Sequence, residues 1–176
     1  MTLKELALKR ESCRSYKESV VSHKELKEIM ETACLSPSAC NSQPWRLIAA
    51  EGEKAKEVSA MIQKSGRNQF VEEASAFIAI CETPAVLRAG VCFDQQHFAQ
   101  MDVGMVTMLL TLAAADKGLS TCILGCFDEE GVKSALKIPA EIPLRLIVAV
   151  GHAKEPGVRE KIRKPAAETI CFNEWT

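Results

Sequence analysis

The sequence predicts a single domain in which helices and short strands alternate around one core, and three observations predict it. At 176 residues, 47% hydrophobic and 26% charged, the chain is long enough to bury a core and too apolar to stay disordered. Segments of helical period recur along it, separated by short apolar runs bounded by turn residues. The longest helical segment, Asp94 to Lys117, is apolar on nearly every face, as a helix buried in a core or an interface must be.

Thr2 to Lys9 places Leu3, Leu6 and Ala7 at the spacing of a short amphipathic helix. Ser22-His23-Lys24-Glu25 matches a capping box, and Leu26, Ile29, Met30 and Ala33 then carry a helix to about Cys34. Leu35 to Leu47, LSPSACNSQPWRL, is a polar loop broken by Pro37 and Pro44. Its composition suits either a ligand loop or an ordinary connector. Trp45 to Glu51 reads as a strand, Glu53 to Lys64 as a helix with Ala55, Val58, Met61 and Ile62 inward, and Ala76 to Cys81 as a buried strand. Gly66 and Asn68 favour a turn between the last two.

The long helix is expected to turn Phe98, Met101, Met105, Met108, Leu109 and Leu112 inward and to stop at Gly118, with Val103, Val106, Leu110 and Ala113 leaving its other faces apolar too. Thr121 to Leu124 is a short strand, Gly125 permits close backbone approach, and Asp128 starts a helix that ends before Pro139, with Val132, Ala135 and Leu136 inward. Leu144 to Val150 has the β-branched character of a central strand. The tail from His152 is polar but ends on Ile170, Phe172 and Trp175, which need a surface to cover them.

Composition excludes several classes. A net charge of -1 with no basic block gives no electrostatic reason for nucleic acid or an anionic membrane. The N-terminus lacks the order of a signal peptide, and the most apolar window, Val103 to Ala115, is too short for a bilayer, so a soluble, cytoplasmic protein is expected. Eight cysteines contain no C-x-x-C pair, so a zinc site is not expected. Several, including Cys34, Cys81 and Cys122, lie in apolar runs where a thiol acts as a small hydrophobe. Cys40 lies in the polar loop, with nothing nearby to mark it as activated. His97 and Asp102, at i and i+5, point to different helix faces, and no P-loop, Rossmann fingerprint or catalytic triad occurs.

Two basic pairs stand out. Extended chain puts Arg10, Ser12 and Arg14 on one face, and Lys161 and Arg163 repeat that spacing in the tail. Guanidinium forks with a hydroxyl suit a phosphate, although solvated surface is the commoner use of such charges.

Taken in order, Arg10-x-Ser12-x-Arg14, Pro37-Ser38-Ala39-Cys40-Asn41-Ser42-Gln43-Pro44-Trp45, the long apolar helix, Gly118-Leu119 before Gly125, and Lys161-x-Arg163-x-Pro165 resemble the FMN-dependent nitroreductase family across essentially the whole chain. The resemblance implies one FMN-binding domain over residues 1–176 with an α+β fold: a central, mostly antiparallel sheet flanked by helices. It also implies a homodimer with FMN sites at the subunit interface and a C-terminal extension wrapping the partner. Arg10, Ser12, Lys161 and Arg163 would hold the phosphate, and Arg14 would lie nearer the flavin pyrimidine edge. Pro37, Ser38, Ala39 and Asn41 would come from the other subunit. Asn68 would bond the polar edge, and the backbone at Leu124 and Gly125 would face N5.

The implied reaction is ping-pong transfer of hydride from NADH or NADPH through FMN to a nitroaromatic, quinone or flavin-type acceptor, with no catalytic side chain assigned. Glu11 stands where many relatives carry a second arginine, and the short interval from Cys81 to Asp94 implies an open pocket. Two other classes fit the same residues: an FMN-binding storage or sensory module without turnover, and a flavin-free nucleotide-binding relative.

Overall fold

The computed structural model describes residues 1–64, 66–86, 88, 95–155 and 157–175. Asp94, Cys92, Pro156 and half of the interval between Cys81 and Asp94 lie outside them. Helices α1 (Leu3–Lys9) and α2 (His23–Ala33) both begin on full capping boxes, from Thr2 with Glu5 and from Ser22 with Glu25. Strand β1 (Trp45–Glu51), α3 (Glu53–Gln63), β2 (Ala76–Glu82), α4 (Gln95–Asp116), β3 (Ser120–Leu124), α5 (Glu129–Leu136) and β4 (Leu144–Gly151) follow. The four strands form one antiparallel sheet in the order β1-β2-β4-β3. The fold is therefore α+β, as expected.

Strand alternation explains why the central strands read as continuous apolar runs. On β2, Phe77, Ala79 and Cys81 face one layer with Ala55, Val58 and Ile62 of α3 and Val132 of α5. Ala76, Ile78 and Ile80 face the other layer, with Leu26 and Ile29 of α2 and Val103, Val106 and Leu110 of α4. Helices thus cover both faces, and every β2 residue is buried. At the end of β2, the buried Glu82 carboxylate accepts from Arg145 Nε and Gln96 Nε2.

Two expectations about α4 need correction. Met101, Met105 and Met108 point outward, at 49%, 40% and 43% exposure, while the Val103, Val106 and Leu110 side packs on the sheet. Periodicity cannot orient a helix that is apolar all round. The helix is also longer than its most apolar window: Gln96–Asp116 is long and apolar enough to cross a membrane. Its burial against the sheet makes it a core helix of this domain.

Smaller departures have local causes. Helix α5 ends at Leu136 on Lys137 in the left-handed conformation (φ 55°), ahead of Pro139. Cys34 is exposed, whereas Cys81 and Cys122 are buried as expected. Burial pushes the Cys81 thiol up to about 11, far from a reactive thiolate. Gly151 is required by packing, since a Cβ there would lie 2.6 Å from Tyr16 Cδ1.

Candidate functional site

The segment after α1 runs beside β3. Ser12 bridges Thr121 in parallel, the Cys13 N–H donates to the Thr121 carbonyl at 2.9 Å, and Tyr16 bridges Ala153. Cys13 and Tyr16 are thereby buried, leaving Arg10 and Ser12 half-buried and Arg14 exposed. The tail returns to this segment. Lys161 Nζ donates to the Arg10 carbonyl at 2.5 Å, and Arg159 donates to Glu11 Oε2 (3.1 Å) and to the Ser12 carbonyl (2.8 Å). The two basic pairs, far apart in sequence, therefore meet at Arg10 and Lys161.

This meeting is electrostatically unfinished. Burial, reinforced by the Arg10 charge, holds the Lys161 ammonium below the usual lysine range. Arg10 Nε is buried and, among the described residues, has no hydrogen-bond partner. Glu11 does not neutralise the pair by itself, because its carboxylate is bound to Arg159. A buried donor beside a half-buried ammonium is a setting that an anionic group completes. The residues present therefore fit a phosphate.

A second group forms between α3 and the turn after β3. Asn68, left-handed at φ 56°, donates from Nδ2 to the Cys126 carbonyl at 3.0 Å, and Arg67 Nη1 lies 3.9 Å from Cys126 Sγ. Lys64 and Asp128 close the same junction at 2.6 Å. Asn68 is thus held beside the turn that follows Leu124 and Gly125, with one of its two amide protons used in the bond to Cys126. A Cβ at Gly125 would meet nothing within 4 Å among the described residues, so the backbone there faces open space that a ligand can approach closely.

The loop after α2 forms a single turn of 3-10 helix, Ala39–Asn41, followed by β1. Cys40, Asn41 and Gln43 have φ values of 52°, 54° and 47°, a conformation that costs non-glycine residues free energy unless the surroundings fix it. Pro37 and Asn41 are exposed, and Ser38 and Ala39 half-buried. Ser38 Oγ accepts from the Gln43 N–H at 2.9 Å, and the Ala39 N–H donates to the buried Asp102 carboxylate of α4. Asp102 lies in the first half of α4, whereas Ala115, near its end, lines a cleft with Arg10. Thirteen residues of helix put these points ~20 Å apart along the axis.

The structure thus brings Arg10, Ser12, Lys161 and the neighbouring tail together, holds Asn68 beside the turn that follows Leu124 and Gly125, and places Pro37, Ser38, Ala39 and Asn41 at the other end of α4. Sequence reasoning misses Arg159 and Asp102. The charge complementarity of Glu11 and Arg159 is a faint signal for the first. The second is one acid in an apolar helix, and only the folded chain reveals its partner. Among the described residues no cluster of His, Cys, Asp and Glu suits a metal ion. His97 is exposed and Asp102 buried, so they form no catalytic pair.

The nitroreductase family model matches residues 7–152, which include nearly all of these elements. The chain belongs to the nitroreductase family. It is accordingly an oxidoreductase. A curated family relative from Thermus thermophilus, named NADH dehydrogenase, is 30% identical over 88% of each chain. An oxygen-insensitive NADPH nitroreductase from Helicobacter acinonychis is 27% identical over 96% of this chain and 95% of its own. Among solved structures, one described as an oxidoreductase containing FMN superposes with a TM-score of 0.85 at 22% identity, covering 100% of this chain and 94% of its own. With the family match, the last likeness establishes the nitroreductase-like fold.

Proposed function

We propose that this family member is an FMN-dependent NAD(P)H oxidoreductase that works as a cytoplasmic homodimer, with each FMN site built from both subunits and one FMN-binding domain spanning residues 1–176. The observation that carries the reading is Arg10 Nε, buried and without a hydrogen-bond partner among the described residues, beside the half-buried Lys161. The names of the relatives, an NADH dehydrogenase and an NADPH nitroreductase, support the donor, and the FMN-containing neighbour supports the cofactor.

In this reading Arg10, Ser12, Lys161 and Arg163 hold the phosphate, and Arg14 sets positive charge toward the pyrimidine edge. Asn68 offers its Oδ1 to the polar edge, and the backbone of Leu124 and Gly125 leaves room at the reacting face. Pro37, Ser38, Ala39 and Asn41 reach in from the partner. When bound, FMN would supply the two-electron chemistry that links NAD(P)H to a nitroaromatic, quinone or flavin-type acceptor. The chain's own task is to bind, orient and tune, so no catalytic side chain is assigned.

Three features support the dimer. The outer face of α4 presents Met101, Met105 and Met108, each 40–49% exposed, around the exposed Gly104, a stripe at helical spacing. In the tail, Ile162, Phe172 and Trp175 are 89%, 83% and 98% exposed. A cleft of about 570 Å³ beside edge strand β1, lined by Leu26, Met30, Trp45 and Leu47, can receive such residues from a neighbour.

Visible spectroscopy tests the proposal. Purified protein, supplied with FMN if necessary, is expected to show oxidised-flavin absorbance that NADH or NADPH bleaches anaerobically and that a quinone restores. Protein that never acquires flavin absorbance refutes both flavin readings. Bound flavin that neither nucleotide bleaches assigns the chain to storage or sensing.

A further inference from the structure

The one acid in the middle of α4 has no part in the chemistry above, yet it is 2% exposed and anchors the loop that matters most. Asp102 Oδ2 and Oδ1 lie 3.1 and 3.3 Å from the Ala39 N–H. That N–H stands between Ser38, extended at φ -150°, and Cys40, left-handed at φ 52°. The backbone reverses sense at this residue. The rest of the loop closes on itself: the Asn41 N–H donates to the Ser38 carbonyl and the Ser42 N–H to the Ala39 carbonyl, both at 3.0 Å. Gln43 Nε2 donates to Asn41 Oδ1 at 3.2 Å. Those bonds fix the loop's shape but not its placement on the domain. Among the described residues, ties to the domain do that: Ser42 Oγ accepts from the Val86 N–H at 2.7 Å, the Pro44 carbonyl accepts from the Thr83 N–H at 3.0 Å, and the Ala39 N–H is held by Asp102.

A buried carboxylate accepting a backbone N–H makes a charge-assisted bond, stronger than a neutral one and directional. It also stands at a strained turn, where surroundings must over-determine the conformation for it to persist. We infer that Asp102 is a positioning residue, holding residues 37–41 in the one arrangement that presents them to the flavin of the neighbouring subunit. This rests on the FMN reading above. It adds a residue that contacts no cofactor and acts only through the Ala39 N–H. The role needs an acceptor at that point, not a charge as such, because an amide oxygen can take the same N–H.

Titration of wild type, Asp102→Asn and Asp102→Ala with FMN and with riboflavin tests the inference. Asp102→Asn keeps the acceptor and is expected to bind both ligands within about threefold of wild type. Asp102→Ala is expected to weaken both by about tenfold or more and by the same factor, since the loop reaches the ring system and not the phosphate. If Asp102→Ala does not yield folded protein, Asp102→Ser, polar but too short to reach Ala39, carries the test with the same expected loss. Wild-type affinity in the Ala or Ser variant overturns the inference, and so does a loss confined to FMN. Absence of flavin binding by the wild type would instead refute the FMN reading itself.

Discussion

Replacing both Arg10 and Arg163 with alanine is expected to weaken FMN by about 100-fold while riboflavin changes by less than about threefold. Charge-assisted hydrogen bonds contribute roughly 1.5–3 kcal/mol each, so two of them correspond to ~3–6 kcal/mol at full strength. Arg163 is exposed and Arg10 half-buried, and solvent screening moves the expectation to the low end, about 3 kcal/mol or roughly two decades in affinity. Riboflavin lacks the phosphate and so reports whether the rest of the site survives. Fluorescence quenching with each ligand measures both. Equal losses for the two ligands would show that the arginines serve the fold or the ring.

The second large effect is expected from removing residues 156–176: loss of the dimer and of FMN together. The deletion takes Lys161 and Arg163 from the phosphate site and removes Ile162, Ile170, Phe172 and Trp175, all more than half exposed in the single chain. Burying such side chains against a partner contributes roughly 1.5–3 kcal/mol each, so their removal strips the interface of much of its apolar area. The remaining domain should keep its secondary structure, because both core layers are built from residues before the tail. Sedimentation of the truncated chain should show a monomer without flavin absorbance. A truncated dimer that retains FMN would contradict the wrapping role of the tail.

Much of the fold is legible in the sequence where local chemistry and burial agree. The Ser22–Glu25 capping box starts α2, and the apolar run from Leu144 becomes a central strand because both sheet faces are covered. Where many faces are equally apolar, as along α4, sequence gives the helix but not its orientation, and the methionines take the outside. The loop shows the complementary limit. Pro37 and Pro44 announce irregular backbone, but where the loop sits on the domain follows from long-range ties, Ala39 to Asp102 and Ser42 to Val86, that no local preference encodes. The site is legible to the same degree: alternation in extended chain marks Arg10 and Ser12, whereas the bond from Ala39 to Asp102 spans 63 residues and exists only in the folded chain.

A site that takes its phosphate residues from one subunit and its loop from the other can be rebuilt by mixing two chains, one carrying Arg10→Ala and Arg163→Ala, the other Ser38→Ala and Asn41→Ala, each too weak to hold FMN alone. Random exchange makes half the dimers mixed, and a crossed arrangement leaves one intact site in each, so tight FMN binding should return to about a quarter of the wild-type amount. No recovery in proven mixed dimers would mean that the loop serves the flavin of its own chain, and would contradict the account.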